Sequence, residues 1–336
     1  MASEIKPLGG LERVRLADAV PLDTPFTVYV FPTTYCNFKC SYCAHSQGKE
    51  ELKEQYNFEL QNMTMDTFKH VVEQLKQFPQ KVKVVSVTGH GEPMIHPDLP
   101  EMIRLLKAAE VSERIEVISN GSLLTHELAD RLIDAGLDIL RISLQGLSAE
   151  KYKEVCEYTL DYDRYIENLG YYYKHKKPGQ QLFVKIIDVA LEKGEEETFY
   201  HTFQDISDRM FIEYCQKVYS GVKLTQNMEF HSTNRYGTTL PKQQVCALSF
   251  FMLGIYPDGT VIPCDTIYRP AVLGNVNQDT LMKMWNGDIL KDFRIKELKE
   301  GRFANPECAR CVTPDDVLRV EDALDDDRDR ILERMV

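Results

Sequence analysis

The sequence lacks the features that would place the protein in a membrane or on a nucleic acid. Its 336 residues contain no apolar run near the roughly 20 residues that a membrane-spanning helix needs. Residues 1–6 lack the apolar core of a secretory signal peptide. The net charge is −12 and no block of lysine and arginine stands out, which argues against a nucleic-acid backbone as partner. We therefore expect a cytoplasmic protein with neither a membrane nor a nucleic acid as partner.

Cysteine is abundant, and its placement predicts a metal site. The chain has nine cysteines, which a reducing cytoplasm would keep as thiols rather than disulfides. Cys36, Cys40 and Cys43 follow an apolar, β-branched run at residues 26–31, so they lie in a loop after a strand. Three close thiolates can hold three corners of an iron–sulfur cluster and leave one iron open. The alternative is zinc, but a structural zinc site needs four ligands.

Strand-like and helix-like segments then alternate along the chain. After the first strand, further strands are expected at residues 82–88, 114–119, 139–144, 182–189 and 210–214. Helices are expected at residues 64–78, 97–109, 125–135, 149–157, 161–176 and 195–207, and residues 44–62 are expected to form a loop. Six such steps indicate parallel strands joined by right-handed crossovers. The predicted fold is α/β, a partial barrel of six strands.

Small and polar residues end several of these strands, where the chemistry of such barrels takes place. Glycines allow a backbone to approach a ligand closely, and short hydroxyl and amide side chains can bind a ribose. Simple turns are the alternative explanation. The residues concerned are Gly89, Gly91, Glu92, Ser119, Asn120, Ser143, Gln145 and Cys215. His90 could contact substrate or merely pack, and one of Lys185 and Asp188, which lie on opposite faces of a strand, should face the lumen.

The last third of the chain holds a second group of cysteines, namely Cys246, Cys264, Cys308 and Cys311. A Pro-Asp-Gly turn at residues 257–259 predicts a hairpin between the first two. Four thiols can hold either zinc or a fully ligated four-iron cluster. We expect an N-terminal arm at 1–24, the barrel at 25–240, a cysteine domain at 241–315 and a charged, solvated tail or helix at 316–336.

The spacing of the first three cysteines, with Tyr42 before the last one, resembles the signature of the radical S-adenosylmethionine (radical SAM) family. The resemblance implies that Cys36, Cys40 and Cys43 hold a 4Fe–4S cluster whose open iron binds SAM. One electron, from a reductant such as flavodoxin or ferredoxin, would then cleave SAM. The resulting 5′-deoxyadenosyl radical would take a hydrogen atom from the substrate.

The turn at residues 89–93 resembles the family's GGE motif, with His90 in place of the second glycine. This implies that Gly89, Gly91 and Glu92 bind the methionyl end of SAM. The other SAM contacts implied by the resemblance are Tyr42, Ser119, Asn120, Ser143 and Gln145. The order of the later cysteines resembles the twitch domain, a short form of the SPASM domain, and implies one auxiliary 4Fe–4S cluster; zinc is the alternative there.

A barrel followed by one auxiliary cluster resembles enzymes of the 2-deoxy-scyllo-inosamine dehydrogenase type. The resemblance implies oxidation of a secondary alcohol in a sugar, cyclitol or nucleotide sugar, with the auxiliary cluster as electron acceptor. Candidate bases are Glu213, His231 and Arg235. An epimerase would instead need a thiol that returns hydrogen, with Cys215 or Cys156 as candidates. Peptide maturation, electron transfer and a zinc-stabilised binding protein are further alternatives.

Overall fold

The computed structural model describes residues 3–7, 13–216, 219, 222 and 233–336. In this part of the chain a ten-stranded sheet has the order β1-β7-β6-β5-β4-β3-β2-β8-β9-β10. The strands are β1 (Glu4–Ile5), β2 (Thr27–Val30), β3 (Val82–Val87), β4 (Ser112–Ser119), β5 (Ile139–Leu144), β6 (Gln181–Ile187), β7 (Arg209–Glu213), β8 (Met252–Ile255), β9 (Thr260–Ile262) and β10 (Gly274–Asn275).

Helices connect and cover the strands. They are α1 (Leu16–Ala19), α2 (Lys49–Tyr56), α3 (Met65–Leu75), α4 (Leu99–Ala109), α5 (His126–Ala135), α6 (Ala149–Cys156), α7 (Tyr162–His175), α8 (Glu196–Phe203), α9 (Leu248–Phe251), α10 (Leu281–Asn286), α11 (Asp288–Glu300), α12 (Pro306–Arg310), α13 (Thr313–Asp316) and α14 (Arg328–Met335). Among the helices described, none is both long and apolar enough to cross a membrane.

The six strands β2 to β7 are parallel neighbours, which confirms the predicted α/β partial barrel. Local signals set the element bounds. The Thr64 side chain caps α3 by accepting a hydrogen bond from the amide of Thr67. Thr125 caps α5 in the same way, and Gly136 ends that helix at φ 87°, a conformation that favours glycine. Residues that pack between helices and sheet form a continuous apolar core.

The expectation of a loop at residues 44–62 is wrong, because α2 lies within it. This helix has eight residues and mostly charged or polar side chains. Leu52 and Tyr56 are its buried residues, spaced one helical turn apart, so its apolar stripe is too narrow to stand out in the sequence. The fifth strand of the sequence prediction, at residues 182–189, also ends early, since Asp188–Ala190 form a 3-10 turn after β6.

The cysteine-rich part of the chain continues the barrel sheet. β8 pairs in parallel with β2, and β9 then pairs antiparallel with β8. At the opposite edge β1 pairs with β7. The charged segment at the C-terminal end is not simply solvated, because Leu324 and Ile331 are buried against Leu16 and Leu298. This segment ends in α14, which packs on α11. The division into four segments stays a prediction.

Candidate functional site

The cysteine loop after β2 is hydrogen-bonded to the ends of the neighbouring strands. Asn37, which lies between the first two cysteines, donates from Nδ2 to Ser122 Oγ at 2.8 Å. Its Oδ1 accepts from Asn120 Nδ2 at 2.9 Å. Tyr42 donates from its hydroxyl to Gln145 Oε1. The C-terminal ends of β2, β4 and β5 therefore meet at one edge of the sheet, as expected for parallel strands.

The glycine turn after β3 packs directly against this loop. A Cβ on Gly91 would lie 2.6 Å from the carbonyl oxygen of Tyr35 and 2.7 Å from that of Thr33. A Cβ on Gly89, which has φ +154°, would lie 2.5 Å from the Phe31 ring. Real Cβ atoms do not approach other atoms so closely, so both positions require glycine. The turn thus presents bare backbone packed against the cysteine loop, a glycine cradle whose binding of the methionyl end of SAM stays a prediction.

Glu92 is buried and organises the strand ends. Its carboxylate accepts hydrogen bonds from Ser119 Oγ at 2.6 Å, from the Asn120 amide at 2.7 Å and from the Met94 amide at 2.9 Å. Burial raises the pKa of Glu92. The side-chain groups of Glu92 and Ser119 are engaged within the protein, so in this arrangement they position the site. Direct contact of Glu92, Ser119 and Asn120 with SAM stays a prediction.

The remaining SAM contacts expected from the sequence lie at the end of β5. Gln145 is buried, and its Nε2 donates to the carbonyl oxygen of Ser143 at 3.2 Å. The hydrogen bond from the Tyr42 hydroxyl holds the Oε1 atom of Gln145. The structure therefore places Tyr42, Ser143 and Gln145 at the same edge as the glycine turn.

Cys36, Cys40 and Cys43 are half-buried free thiols in the loop after β2. Burial raises the pKa of Cys36 and Cys43, and a hydrogen bond with the Cys156 thiol together with burial raises the pKa of Cys40. Metal ligation requires thiolates. These groups would therefore need a cation to hold them ionised, and cluster irons would supply it.

The four later cysteines are all buried and interact electrostatically with one another. Burial raises the pKa of each of them. The amide of Cys246 donates to Glu297 Oε1 at 2.8 Å, and Arg302 Nη1 donates to the Cys311 carbonyl oxygen at 2.7 Å. In the part of the chain described, no three His, Cys, Asp or Glu side chains are placed to hold a single metal ion. Each cysteine of a four-iron cluster binds a different iron, so the arrangement is compatible with a cluster.

A cavity of about 530 Å³ occupies the barrel lumen and extends to the cysteine-rich part of the chain. This volume falls in the range of small-molecule sites, roughly 300–1,000 Å³. Residues from both parts of the chain line it, among them Tyr29, Thr88, Gly89, His90, Arg141, Lys185, Arg235, Asp265, Tyr268 and Arg319. His90 both lines the cavity and packs edge-on against Phe31. Burial lowers the pKa of His90 to about 3, so its ring is neutral.

Two of the three candidate bases lie in the described part of the chain, and both are paired. Glu213 accepts from Lys185 Nζ at 2.5 Å. Although burial opposes ionisation, Lys185 and Arg235 hold the pKa of Glu213 at about 2. Arg235 pairs with Asp316, which together with Glu213 raises its pKa despite burial. Arg235 as a base is therefore wrong, because its guanidinium stays protonated. His231 lies outside the described residues.

Lys185 on β6 lines the cavity, whereas Asp188, in the 3-10 turn after β6, is not among the described residues that line it. The Oδ1 atom of Asp188 accepts from the amides of Val189 and Cys215. Cys215 is buried and packs with Val189 and Tyr42. Of the described residues, those that line the cavity do not include Cys215. Cys156 is also buried, and its thiol donates to the Tyr152 carbonyl oxygen at 2.8 Å.

Asp265 is a candidate that sequence reasoning missed. It directly follows Cys264, lines the cavity, and has a buried Oδ1 with no hydrogen-bond partner in the described part of the chain. Burial raises the pKa of Asp265. An acidic residue beside a predicted cluster ligand was a usable signal. Its position on the cavity wall depends on the tertiary fold, however, and was not visible in the sequence.

Comparison with known proteins identifies both parts of the chain. A family model described as the radical SAM superfamily matches residues 30–206. A second model, described as SPASM, an iron–sulfur cluster-binding domain, matches residues 246–312. These two domains imply SAM and two iron–sulfur clusters, which fits the two cysteine groups and the glycine cradle. They do not favour zinc at the second site.

Individual relatives are more distant. The chain is 22% identical over 323 residues to a tungsten-containing aldehyde ferredoxin oxidoreductase cofactor-modifying protein of Pyrococcus furiosus, covering 84% of this chain and 86% of that protein. It is 32% identical over 128 residues to a GTP 3′,8-cyclase of Chlorobaculum tepidum, covering 38% of this chain and 35% of that protein.

Two solved structures show the same fold. The first is BtrN in complex with AdoMet and 2-DOIA, with 18% identity, a TM-score of 0.53 and coverage of 85% of this chain and 92% of BtrN. The second is SuiB of Streptococcus suis bound to S-adenosylmethionine, with 16% identity, a TM-score of 0.63 and coverage of 90% of this chain and 74% of SuiB.

Proposed function

Because the chain belongs to the radical SAM superfamily and carries a SPASM domain, we propose that it oxidises a secondary alcohol of a carbohydrate-like small molecule to a ketone. The observation that carries this proposal is the Cys264–Asp265 pair. Asp265 lines the cavity with a carboxylate oxygen that has no partner among the described residues, and it directly follows Cys264, a predicted ligand of the auxiliary cluster. An electron acceptor and a hydrogen-bond acceptor thus stand side by side.

The oxidation removes one hydrogen atom, one proton and one electron from the alcohol. The bound cofactors supply a hydrogen-atom acceptor derived from SAM and an electron acceptor at the auxiliary cluster. The protein itself must take the hydroxyl proton. Asp265 Oδ1 is the group we assign to this task, because it lines the cavity without a partner among the described residues. Glu213 suits the task less well, because its carboxylate already accepts a hydrogen bond from Lys185. Its pKa of about 2 also makes it a weak proton acceptor.

Dehydrogenation is favoured over epimerisation by the position of the free thiols. An epimerase needs a thiol that can return a hydrogen atom to the substrate carbon. Cys215 and Cys156 are both buried, and among the described residues neither lines the cavity. A carboxylate without a thiol at the cavity wall suits removal of a proton rather than return of hydrogen.

A small molecule is favoured over a peptide by the cavity itself. Its volume of about 530 Å³ matches a sugar or nucleotide sugar. BtrN, whose structure contains 2-DOIA, has a similar fold, but so has SuiB, which has also been solved with the precursor peptide SuiA. Fold likeness at this level does not choose between them, so the experiment must.

The experiment begins with release of 5′-deoxyadenosine. The protein is reconstituted with iron and sulfide without oxygen, reduced, given SAM, and the nucleoside is quantified by mass spectrometry. Replacing Cys36, Cys40 and Cys43 with alanine should abolish release. Alcohols deuterated at the carbinol carbon are then screened for transfer of deuterium into the nucleoside and for formation of a ketone.

Asp265→Asn separates the proposed role from simple binding. The variant should still cleave SAM but should form ketone at least about a hundredfold more slowly, the range expected for loss of a general base. Ketone formation at the wild-type rate would refute the role of Asp265. Deuterium transfer followed by inversion without ketone would refute dehydrogenation and establish epimerisation. Transfer from a peptide alone would refute a small-molecule substrate.

A further inference from the structure

Cys156 is a buried thiol that the chemistry described above does not use. It is the last residue of α6 and is 1% exposed. Its sulfur lies 2.8 Å from the carbonyl oxygen of Tyr152, and its thiol also forms a hydrogen bond with the thiol of Cys40. Cys40 is one of the three predicted ligands of the SAM-binding cluster, here called the first cluster. A fourth thiol therefore lies next to a predicted ligand of the first cluster.

Backbone hydrogen bonds on both sides of Cys40 attach the cysteine loop to the end of α6. The amide of Lys39 donates to the carbonyl oxygen of Cys156 at 3.0 Å. The amide of Ser41 donates to the carbonyl oxygen of Val155 at 2.8 Å. The last carbonyl groups of a helix have no partners within the helix, so the loop satisfies two of those in α6. The backbone therefore holds Cys40 against the helix end, and the contact between the two thiols follows from it.

Side chains around this attachment belong to the apolar core. The centre of the Phe38 ring lies 6.0 Å from that of Tyr152 and 4.7 Å from that of Tyr158. Phe38 and Tyr152 are both buried. Lys39 Nζ lies 3.7 Å from Glu157 Oε2, but this pair is exposed and contributes little. Core packing and backbone hydrogen bonds thus place the end of α6 on the cysteine loop.

The Cys156 thiol is a hydrogen-bond donor that can serve the sulfur of Cys40. Apart from its own amide, the groups that interact with this sulfur are the Tyr42 hydroxyl, which donates to Gln145, and the Cys156 thiol. In the structure the thiol proton of Cys156 is shared with the neutral carbonyl oxygen of Tyr152. A sulfur that binds iron is a negatively charged thiolate, and hydrogen bonds to charged acceptors are about twice as strong as neutral ones. The proton therefore prefers the ligand sulfur once Cys40 binds iron.

We propose that Cys156 is a positioning residue of the first cluster, whose thiol donates a hydrogen bond to the sulfur of Cys40 and thereby stabilises the reduced cluster. An added electron increases the negative charge on the ligand sulfurs, and a hydrogen-bond donor offsets that charge. Hydrogen bonds to the sulfurs are among the features that set the reduction potential of such clusters. Cys156 thus makes it easier to load the electron that cleaves SAM. The inference goes beyond the proposed oxidation, because it concerns the first cluster and not the substrate.

The midpoint potential of the first cluster tests this role without any substrate. The full-length protein is reconstituted with iron and sulfide, and its reduction is followed by electron paramagnetic resonance at a series of fixed solution potentials. Because SAM binds the open iron of the first cluster, the part of the spectrum that changes when SAM is added reports that cluster. Iron content is measured on every sample, so that a lost cluster is not mistaken for a shifted potential.

Two substitutions separate hydrogen bonding from packing. Cys156→Ala removes the donor and should lower the equilibrium constant for reduction about three- to tenfold, as expected for one hydrogen bond. At 59 mV per factor of ten for one electron, the potential should fall by about 28–59 mV. Cys156→Ser keeps a donor and should restore most of the difference. Cys215→Ala is the matched control, because Cys215 is a buried thiol that packs against Tyr42 of the same loop.

Three results would overturn the inference. The first is an unchanged potential in Cys156→Ala, and the second is an equal fall in Cys156→Ala and Cys156→Ser, which would mean that the sulfur acts by packing alone. The third is an equal fall in Cys215→Ala. If Cys156→Ala does not fold, Cys156→Ser decides the outcome, because a potential more than about 28 mV below that of the wild type would contradict a retained hydrogen bond. Failure of the proposed oxidation looks different, because no alcohol would then yield a ketone while these potentials stayed as expected.

Discussion

Arg302 provides a sharp test of the auxiliary site, because this completely buried cation holds one of its cysteines in place. Its Nε donates to the Gln243 carbonyl oxygen at 2.9 Å and its Nη1 to the Cys311 carbonyl oxygen at 2.7 Å. Its Nη2 contacts Asp315 Oδ2 at 2.5 Å. Arg302 is 1% exposed. A four-iron cluster with four thiolates is negatively charged, so a buried guanidinium beside it also offsets that charge.

Arg302→Met keeps a long side chain but removes all three hydrogen bonds. Hydrogen bonds to a charged group contribute about 1.5–3 kcal/mol each. Neighbouring contributions do not add fully, and Asp315 can turn to solvent because its side chain is 28% exposed. We therefore expect the folded auxiliary domain to lose about 3–5 kcal/mol of stability. At 1.4 kcal/mol per factor of ten, this loss raises the ratio of unfolded to folded auxiliary domain by a factor of about a thousand.

Iron and sulfide content after reconstitution measures the consequence. The wild-type protein should hold about eight irons per chain, four in each cluster, and Arg302→Met about four. SAM cleavage should persist in the variant because the first cluster is untouched, whereas ketone formation should stop. Lys299→Met is the matched control, since this exposed side chain lies three residues away. A variant that keeps about eight irons would refute the role assigned to Arg302, and loss of all iron would show that the two sites are not independent.

Three further outcomes follow from the site. Gly91→Ala should weaken SAM binding at least about tenfold in equilibrium dialysis, because its Cβ would meet two carbonyl oxygens, whereas Gly170→Ala, with 3.7 Å of clearance, should not. In the wild type the low pKa of Glu213 contributes stability that is fully present above about pH 4.5 and is lost as the pH falls to about 2. In acid unfolding, Glu213→Gln should therefore show a smaller decrease of the unfolding free energy between these two pH values. Cys215→Ala should leave ketone formation unchanged, and loss of turnover would instead favour epimerisation.

The parts of the fold that depend on local signals could be predicted from the sequence. β5 lies at the expected residues, and the cap at Thr125 and the stop at Gly136 bound α5 as anticipated. The two cysteine groups belong to the two domains expected for them. In each case the cause lies within a few residues of the effect, as in side-chain alternation, a capping hydroxyl or the spacing of thiols. Such causes can be read without knowing which strand pairs with which.

The parts that depend on pairing between distant residues could not be predicted. Glu116 meets Ser86 because β4 pairs with β3 in one particular register. Glu213 meets Lys185 across a separation of 28 residues. Asp265 reaches the cavity only through the β8–β9 hairpin. Each of these residues has an ordinary local context, so only the register and the docking of the C-terminal part of the chain give it a partner or a role.

The order of the strands brings the two cysteine groups to the ends of neighbouring strands. β2 leads into the loop of the first three cysteines, and β8, its parallel neighbour, leads through the hairpin to Cys264. Four residue pairs fix the register between them, from Thr27 with Met252 to Val30 with Ile255. A slip along this ladder would move Asp265 and Cys264 relative to the glycine cradle. In the proposed oxidation, the pairing of β2 with β8 would set the distance that the removed electron travels. Mutations that weaken this pairing should therefore impair ketone formation before they impair cleavage of SAM.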